Sequence, residues 1–198
     1  MLVKLLEYTD NPEQAIAEAA SYCYGSVSTP EKNRQRLLHI MTHEHYSALR
    51  YANATFLISG ISRVCSHQIV RTAHAGFLQQ SQRYTSCVDA TCVIPDSLIG
   101  LNDLLTTAVN DALLATQKAY QLLVEAGIPK EDARYVLPQG ASTQLVMTGN
   151  FQMWHNWLKA RTSKCAQWEI RNVAIAIKGM LAILAPNIFV DAAINHQE

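Results

Sequence analysis

The chain has 198 residues, a length suited to one domain able to bury roughly 70% of its unfolded surface. Sixteen basic and sixteen acidic side chains cancel, which argues against a nucleic-acid polymer or an anionic membrane surface as partner. Charged residues are 16% of the chain and apolar ones 49%, lean for a monomer's surface, so a homo-oligomer is expected.

Asn11-Pro12 opens a helix that runs through Glu13 to about Tyr24 and stops at Gly25. Ser28-Thr29-Pro30-Glu31 caps a second helix through Leu37, Leu38, Ile40 and Met41. Between Tyr51 and Ser59 the residues Ala52, Ala54, Phe56 and Ile58 alternate with polar ones, a strand pattern closed by Gly60. Ile61 to about Arg71 reads as helix and places Gln68 and Arg71 on one face. After Gly76 the chain is expected to be extended, with Gln79, Ser81 and Arg83 on one side and Gln80, Gln82 and Tyr84 on the other. Cys87 to Ile94 reads as a short strand. Leu101 to about Ala126 is a long periodic helix stopped by Gly127, and Lys130 to Val136 is a short one ending at Pro138. Gln144 to Thr148 reads as a strand, Asn150 as the cap of a helix through Trp154 and Leu158, and Ala166 to about Leu184 as the last helix. This order lacks the regular alternation of a doubly wound sheet, so residues 1–198 are expected to form a single α+β domain.

The cysteines (Cys23, Cys65, Cys87, Cys92, Cys165) are odd in number and irregular in spacing, and the amino terminus lacks a signal-peptide core. Reduced thiols and a cytoplasmic location follow as expectations. No apolar run approaches the ~20 residues of a membrane span. His43-Glu44-His45 has i, i+2 spacing, which points the imidazoles apart on a helix, and the Cys87/Cys92 pair lacks zinc-ribbon partners, so no metal site is expected. Walker A, G-x-G-x-x-G and G-x-S-x-G motifs are absent from the sequence.

Chemistry concentrates in Cys65 to Tyr84, which holds two arginines, two histidines, two serines and four glutamines with no carboxylate. Read from its residues alone, the run is either a polar connection or a site for an anion carrying a heterocycle, where guanidinium forks and neutral amides act together. A second cluster, Asn150, Gln152, His155, Asn156, Lys159 and Arg161, is either an anion site at a helix start or a solvated polar face. Arg134 in Asp132-Ala-Arg134 is either a ligand or a structural partner of Glu131 or Asp132. Composition and pattern reach a cytoplasmic α+β binder of an anionic, amide-bearing ligand and stop short of a reaction.

Five ordered blocks carry a resemblance: Glu44-His45-Tyr46-Ser47, Ser62-Arg-Val-Cys-Ser-His-Gln-Ile-Val-Arg71, Gln79-Gln-Ser-Gln-Arg-Tyr84, Glu131-Asp-Ala-Arg134-Tyr-Val-Leu-Pro138, and Arg161 with Ala166-Gln-Trp-Glu-Ile-Arg171. Across residues 30 to 185 the chain resembles the flavin-dependent thymidylate synthase family. The resemblance implies an α+β homotetramer with a mostly antiparallel central sheet, and active sites shared between subunits. It also implies reduced FAD, NADPH and methylenetetrahydrofolate acting on dUMP to give dTMP, with no enzyme nucleophile. Carried over by position, Gln68, Arg71, Gln79, Ser81, Arg83, Arg134 and Arg161 hold dUMP, Ser81 and Arg161 being the catalytic pair. Arg71, Asn150 and Asn156 fall at flavin-contact positions, and His74 lies close enough to contribute.

Departures cluster on the flavin side. Where the family reads Arg-His-Arg and then Ser, this chain reads Arg71-Thr72-Ala73 and Gly76. Tyr51 replaces a flavin-contacting His, Arg50 the preceding Glu, Gln152 an Arg, Cys165 a polar or basic residue and Leu78 a polar one; on the nucleotide side Gln79 replaces a frequent Glu. Two alternatives to a working synthase follow: a paralogue that binds a pyrimidine nucleotide with a changed cofactor or reaction, such as base hydroxymethylation, or a non-catalytic nucleotide binder.

Overall fold

A computed structural model describes residues 1–89 and 91–190. Its elements are β1 (Leu2–Tyr8), α1 (Pro12–Cys23), α2 (Pro30–Thr42), β2 (Asn53–Ser62), α3 (Arg63–Ile69), β3 (Gly76–Gln79), α4 (Asp103–Glu125), α5 (Lys130–Ala133), β4 (Ser142–Asn150), α6 (Phe151–Arg161), α7 (Trp168–Leu184) and α8 (Pro186–Phe189). The strands form one antiparallel sheet of four in the order β1-β2-β4-β3, so the α+β class expected from the sequence is observed. The backbone groups into two compact units: Met1–Ile58, Ile69–Leu78 and the chain from Val146 onward form unit 1, while Ser59–Gln68 and Gln79–Leu145 form unit 2.

In unit 1 the alternation of β2 buries Ala54, Phe56 and Ile58, and α6 buries Phe151, Trp154 and Leu158, with Trp154 meeting the β2 face. Asn150 both ends β4 and caps α6, its side chain accepting from the Met153 N–H at 2.9 Å, so strand and helix join without a loop. Trp154 meets Phe56 edge-on at 5.1 Å and donates its indole N–H to the Ala54 carbonyl at 3.1 Å. The inward stripe of α7 (Ile170, Val173, Ala174, Ile177, Leu181) is fully buried. β1 has no counterpart in the sequence-based expectation: Leu2–Tyr8 shows no clean alternation, and Val3 is its one buried side chain.

Unit 2 builds a smaller core around Tyr120 of α4, with Cys87 and Ala133 buried against it and Leu123, Val124 and Leu137 packed around them. Most of α4 stays open; Leu104 and Leu114 are 78% and 63% exposed.

Five local expectations change. β2 continues past Gly60, whose φ of +67° lets the in-out alternation slip by one residue. Ser62 then accepts from the Cys65 N–H at 3.0 Å, which starts α3 at Arg63, two residues later than expected. Thr72 ends that helix by bonding the Ile69 carbonyl with both its N–H and its hydroxyl, so Arg71 lies outside it and shares no helix face with Gln68. Beyond β3 the extended chain stops at Gln80; a turn closed by Thr85 N–H to Ser81 C=O replaces the alternation expected through Arg83. Among the described residues of the run from Cys87 to Ile94, which excludes Ala90, one bridge forms, Cys92 with Ala141, in place of the expected strand, and α4 takes two backbone groups at the start of the run. Tyr120 Oη accepts from the Cys87 N–H at 3.2 Å, and Gln117 donates to the Val88 carbonyl at 2.9 Å.

Candidate functional site

Unit 2 gathers Gln79, Ser81, Arg83 and Arg134, all of them candidates from sequence. The turn after β3 places the Ser81 hydroxyl where it accepts the Arg83 N–H at 3.2 Å. Arg83 Nε pairs with Glu131 Oε2 at 2.6 Å, and Arg134 Nε donates to the Glu131 carbonyl at 2.9 Å. Glu131 on α5 thus anchors both arginines. The Gln79 amide turns inward, donating to Ser66 Oγ at 2.9 Å and weakly to Thr143 Oγ1 at 3.5 Å. The Ser66 hydroxyl that accepts from this amide itself donates to the Arg63 carbonyl at 3.1 Å, so the contact as it stands suits an amide donor. Gln68 donates back to the Val64 carbonyl at 3.4 Å within its own helix and joins none of these contacts.

Beside this cluster lies a polar cleft of about 270 Å³, walled by Gln80 to Gln82, Thr85 to Cys87, Ser142 and Thr143, with Arg63 entering from α3. Arg63 was missed by residue-level reasoning although it stands inside one of the blocks that carry the resemblance. Its Nη2 donates to the Gln80 carbonyl at 3.2 Å, whereas its buried Nε has no acceptor among the described residues. Leaving a buried donor unpaired costs about 1–3 kcal/mol. Burial lowers the Arg63 pKa, the Arg134 charge acts in the same sense and Cys87 opposes them; a guanidinium so shifted is still a cation at neutral pH. Burial raises the Cys87 thiol against the opposing pull of Arg63, so it stays protonated and is no ready nucleophile.

Unit 1 carries the other candidates. Arg71 and His74 are exposed in the turn between α3 and β3, His74 with a left-handed φ of +63°. Asn156 is exposed on α6 and Arg161 half-buried at its end, while the Asn150 side chain is engaged in capping. Arg50 donates to Gln152 Oε1 at 2.5 Å, so the two replacements that stand out in the sequence contact each other. Tyr51 is 67% exposed and Leu78 77%. At Gly76 a Cβ would come within 2.9 Å of Thr148 Cγ2, so β3 approaches β4 too closely there for the serine of the resembling family to enter without a shift. Burial, helped by the Glu44 charge, raises the Tyr46 pKa, and its ring lies 4.6 Å from that of His155.

The imidazoles of His39, His43 and His45 group at the end of α2, with centroids 4.0 to 5.9 Å apart and His43 Nδ1 3.0 Å from the His39 carbonyl oxygen. Among the described residues no group of three His, Cys, Asp or Glu side chains is placed to hold a metal ion, and no helix is long and apolar enough to cross a membrane.

A family model described as thymidylate synthase complementing protein matches residues 4–187. The chain is 38% identical to the flavin-dependent thymidylate synthase of Geobacter sulfurreducens, over 97% of this chain and 87% of that protein. It is 34% identical to the one from Clostridium tetani, over 94% and 84% respectively. The corresponding protein of Mycobacterium tuberculosis is 35% identical over 87% of this chain and 76% of its own length.

Proposed function

The chain belongs to the thymidylate synthase complementing protein family, and from that premise we propose that it is a flavin-dependent thymidylate synthase-like enzyme. In this reading it methylates dUMP reductively to dTMP, with methylenetetrahydrofolate as carbon donor and FAD and NADPH as redox partners. The observation that carries the reading is the unit 2 cluster in which Glu131 joins Arg83 and Arg134, and Ser81 accepts the Arg83 N–H, beside a polar cleft. Two guanidinium groups and a hydroxyl held on one scaffold suit a phosphorylated ligand. Gln68, Gln79, Arg71 and Arg161 complete the proposed nucleotide set. Arg161 and Ser81 act by contact with the nucleotide, stabilising negative charge that develops on the base and fixing its orientation.

For a flavin, the donor set fits in reduced form. Arg71, His74 and Asn156 are exposed in unit 1, and Tyr51 offers an exposed ring, a combination suited to an aromatic cofactor bearing phosphates. Held by these residues, a reduced flavin would supply hydride and one-carbon transfer chemistry. Asn150 acts there through the α6 start that it caps. A homotetramer with shared sites is part of the proposal, supported by the exposed leucines of α4.

A second reading, a pyrimidine-nucleotide binder with a changed cofactor, is favoured by the Arg50–Gln152 contact and by the Thr72 hydroxyl turning to Ile69. The spectrum of the purified protein separates the two readings, followed by tritium release from labelled dUMP with folate and NADPH. A flavin spectrum with dUMP-dependent release is the expected result. Colourless protein that binds dUMP and takes up no added FAD would sink the first reading and leave the changed-cofactor paralogue and the non-catalytic nucleotide binder.

A further inference from the structure

Arg63 belongs to none of the positions that the resemblance assigns to nucleotide or flavin. We propose that it is a further substrate-contacting residue, binding the phosphate monoester of the nucleotide inside the unit 2 cleft; this rests on the nucleotide reading above.

The guanidinium enters the cleft from α3 with one N–H bonded to the Gln80 carbonyl and the buried Nε–H lacking an acceptor among the described residues. Arg83 is bridged to a carboxylate, whereas no carboxylate bridges Arg63 among the described residues. The walls around it supply hydroxyls from Ser81, Thr85, Ser86 and Ser142, groups that donate to an anion without neutralising the cation. Asp89 contributes the one carboxylate of the lining, and Arg134 adds a second positive charge to the local field.

Size and lining choose between the ends of a nucleotide. At about 270 Å³ the cleft is smaller than the ~300–1,000 Å³ of complete small-molecule sites, so it takes part of the ligand. No aromatic ring lines it for a base to stack on, while a guanidinium among hydroxyls matches phosphate oxygens. The phosphate monoester is therefore the end that enters.

The test titrates dUMP, deoxyribose 5-phosphate and deoxyuridine into the full chain and its Arg63→Gln and Arg63→Lys variants by calorimetry. Arg63→Gln is expected to weaken both phosphate-bearing probes by about tenfold to hundredfold. Arg63→Lys, which keeps the charge and loses the fork, falls between, and deoxyuridine is unaffected. Unchanged dUMP affinity in Arg63→Gln, or an equal loss for deoxyuridine, overturns the assignment, since a collapsed cleft lowers nucleoside and nucleotide alike. Arg63-dependent binding of deoxyribose 5-phosphate without preference for dUMP over a purine nucleotide supports the cleft and refutes the dUMP reading. Wild-type protein that binds no phosphate-bearing probe refutes both. Where Arg63→Gln does not fold, Arg63→Lys and Ser86→Ala read the same ratio, with the phosphate probes alone losing affinity.

Discussion

Arg83 and Glu131 are about equally open to solvent, at 54% and 46% of their side chains, and meet through Nε and Oε2 at 2.6 Å. An ion pair in that setting contributes about 0.2–1 kcal/mol to stability, because solvent screens it and both side chains lose freedom. For a chain of this length that corresponds to a Tm shift of at most about 2–4 °C. Glu131→Gln keeps an acceptor for Nε and removes the charge, so melting should fall within that range. Affinity should respond differently. The contact with Glu131 uses Nε, so in the proposed reading the Nη nitrogens are the ones offered to the nucleotide phosphate. Losing a charge-assisted bond of that kind costs about 1.5–3 kcal/mol, or roughly 10–150-fold in Kd. Arg83→Ala should therefore weaken dUMP by that factor with little change in Tm, and Glu131→Gln by less than about fivefold. Calorimetric titration beside scanning calorimetry separates the two effects. If Arg83→Ala binds dUMP as wild type does, or if Glu131→Gln loses as much affinity as Arg83→Ala, Arg83 is a structural arginine and its place in the nucleotide site is refuted.

Two further outcomes follow from packing and burial. Gly76→Ala should destabilise by about 1–3 kcal/mol, because the new Cβ overlaps Thr148 Cγ2. Adding Thr148→Ser, which removes that methyl and keeps the hydroxyl 2.8 Å from Thr55, should restore most of the loss; additive losses in denaturant melts would rule the overlap out. Burial raises the folded-state pKa of Cys87 above its unfolded value, so its contribution to stability is complete below the unfolded thiol value of about 8.5 and is lost as pH rises through the folded one. Tm measured against pH should thus fall more steeply above that value in wild type than in Cys87→Ala, and parallel curves would contradict the burial effect.

Two helix starts were readable because they are written in side chains: Thr29 before Pro30 and Asn150 before α6 each accept a backbone N–H as caps, whereas α4 was legible from its apolar period and not from its Asn102 cap. β1 was unreadable because an outer strand with one buried residue needs no alternation. The strand expected from Cys87 to Ile94 failed for a different cause. The Cys87 N–H and Val88 carbonyl at its start are claimed by Tyr120 and Gln117, about 30 residues away in sequence, and no local pattern announces that. At the candidate site, residue types in the Gln79 to Arg83 run told what kind of ligand to expect. The role of Glu131 as a common anchor, and the inward turn of Gln79, depend on contacts across the chain. Arg63 escaped notice because a lone arginine at a strand–helix junction looks ordinary until its Nε is found without an acceptor.

The path of the backbone has a consequence for how the protein comes into being. It leaves unit 1 after Ile58, returns at Ile69, departs again after Leu78 and is back at Val146, so no single cut separates the units. A ribosome that has made the chain as far as Leu145 has released Ala54, Phe56 and Ile58 but not Trp154, which packs on Phe56 and bonds the Ala54 carbonyl. Until α6 emerges, the apolar face of β2 lacks its native cover. Synthesis of residues 151–161 thus decides when β2 can bury Phe56 beneath Trp154.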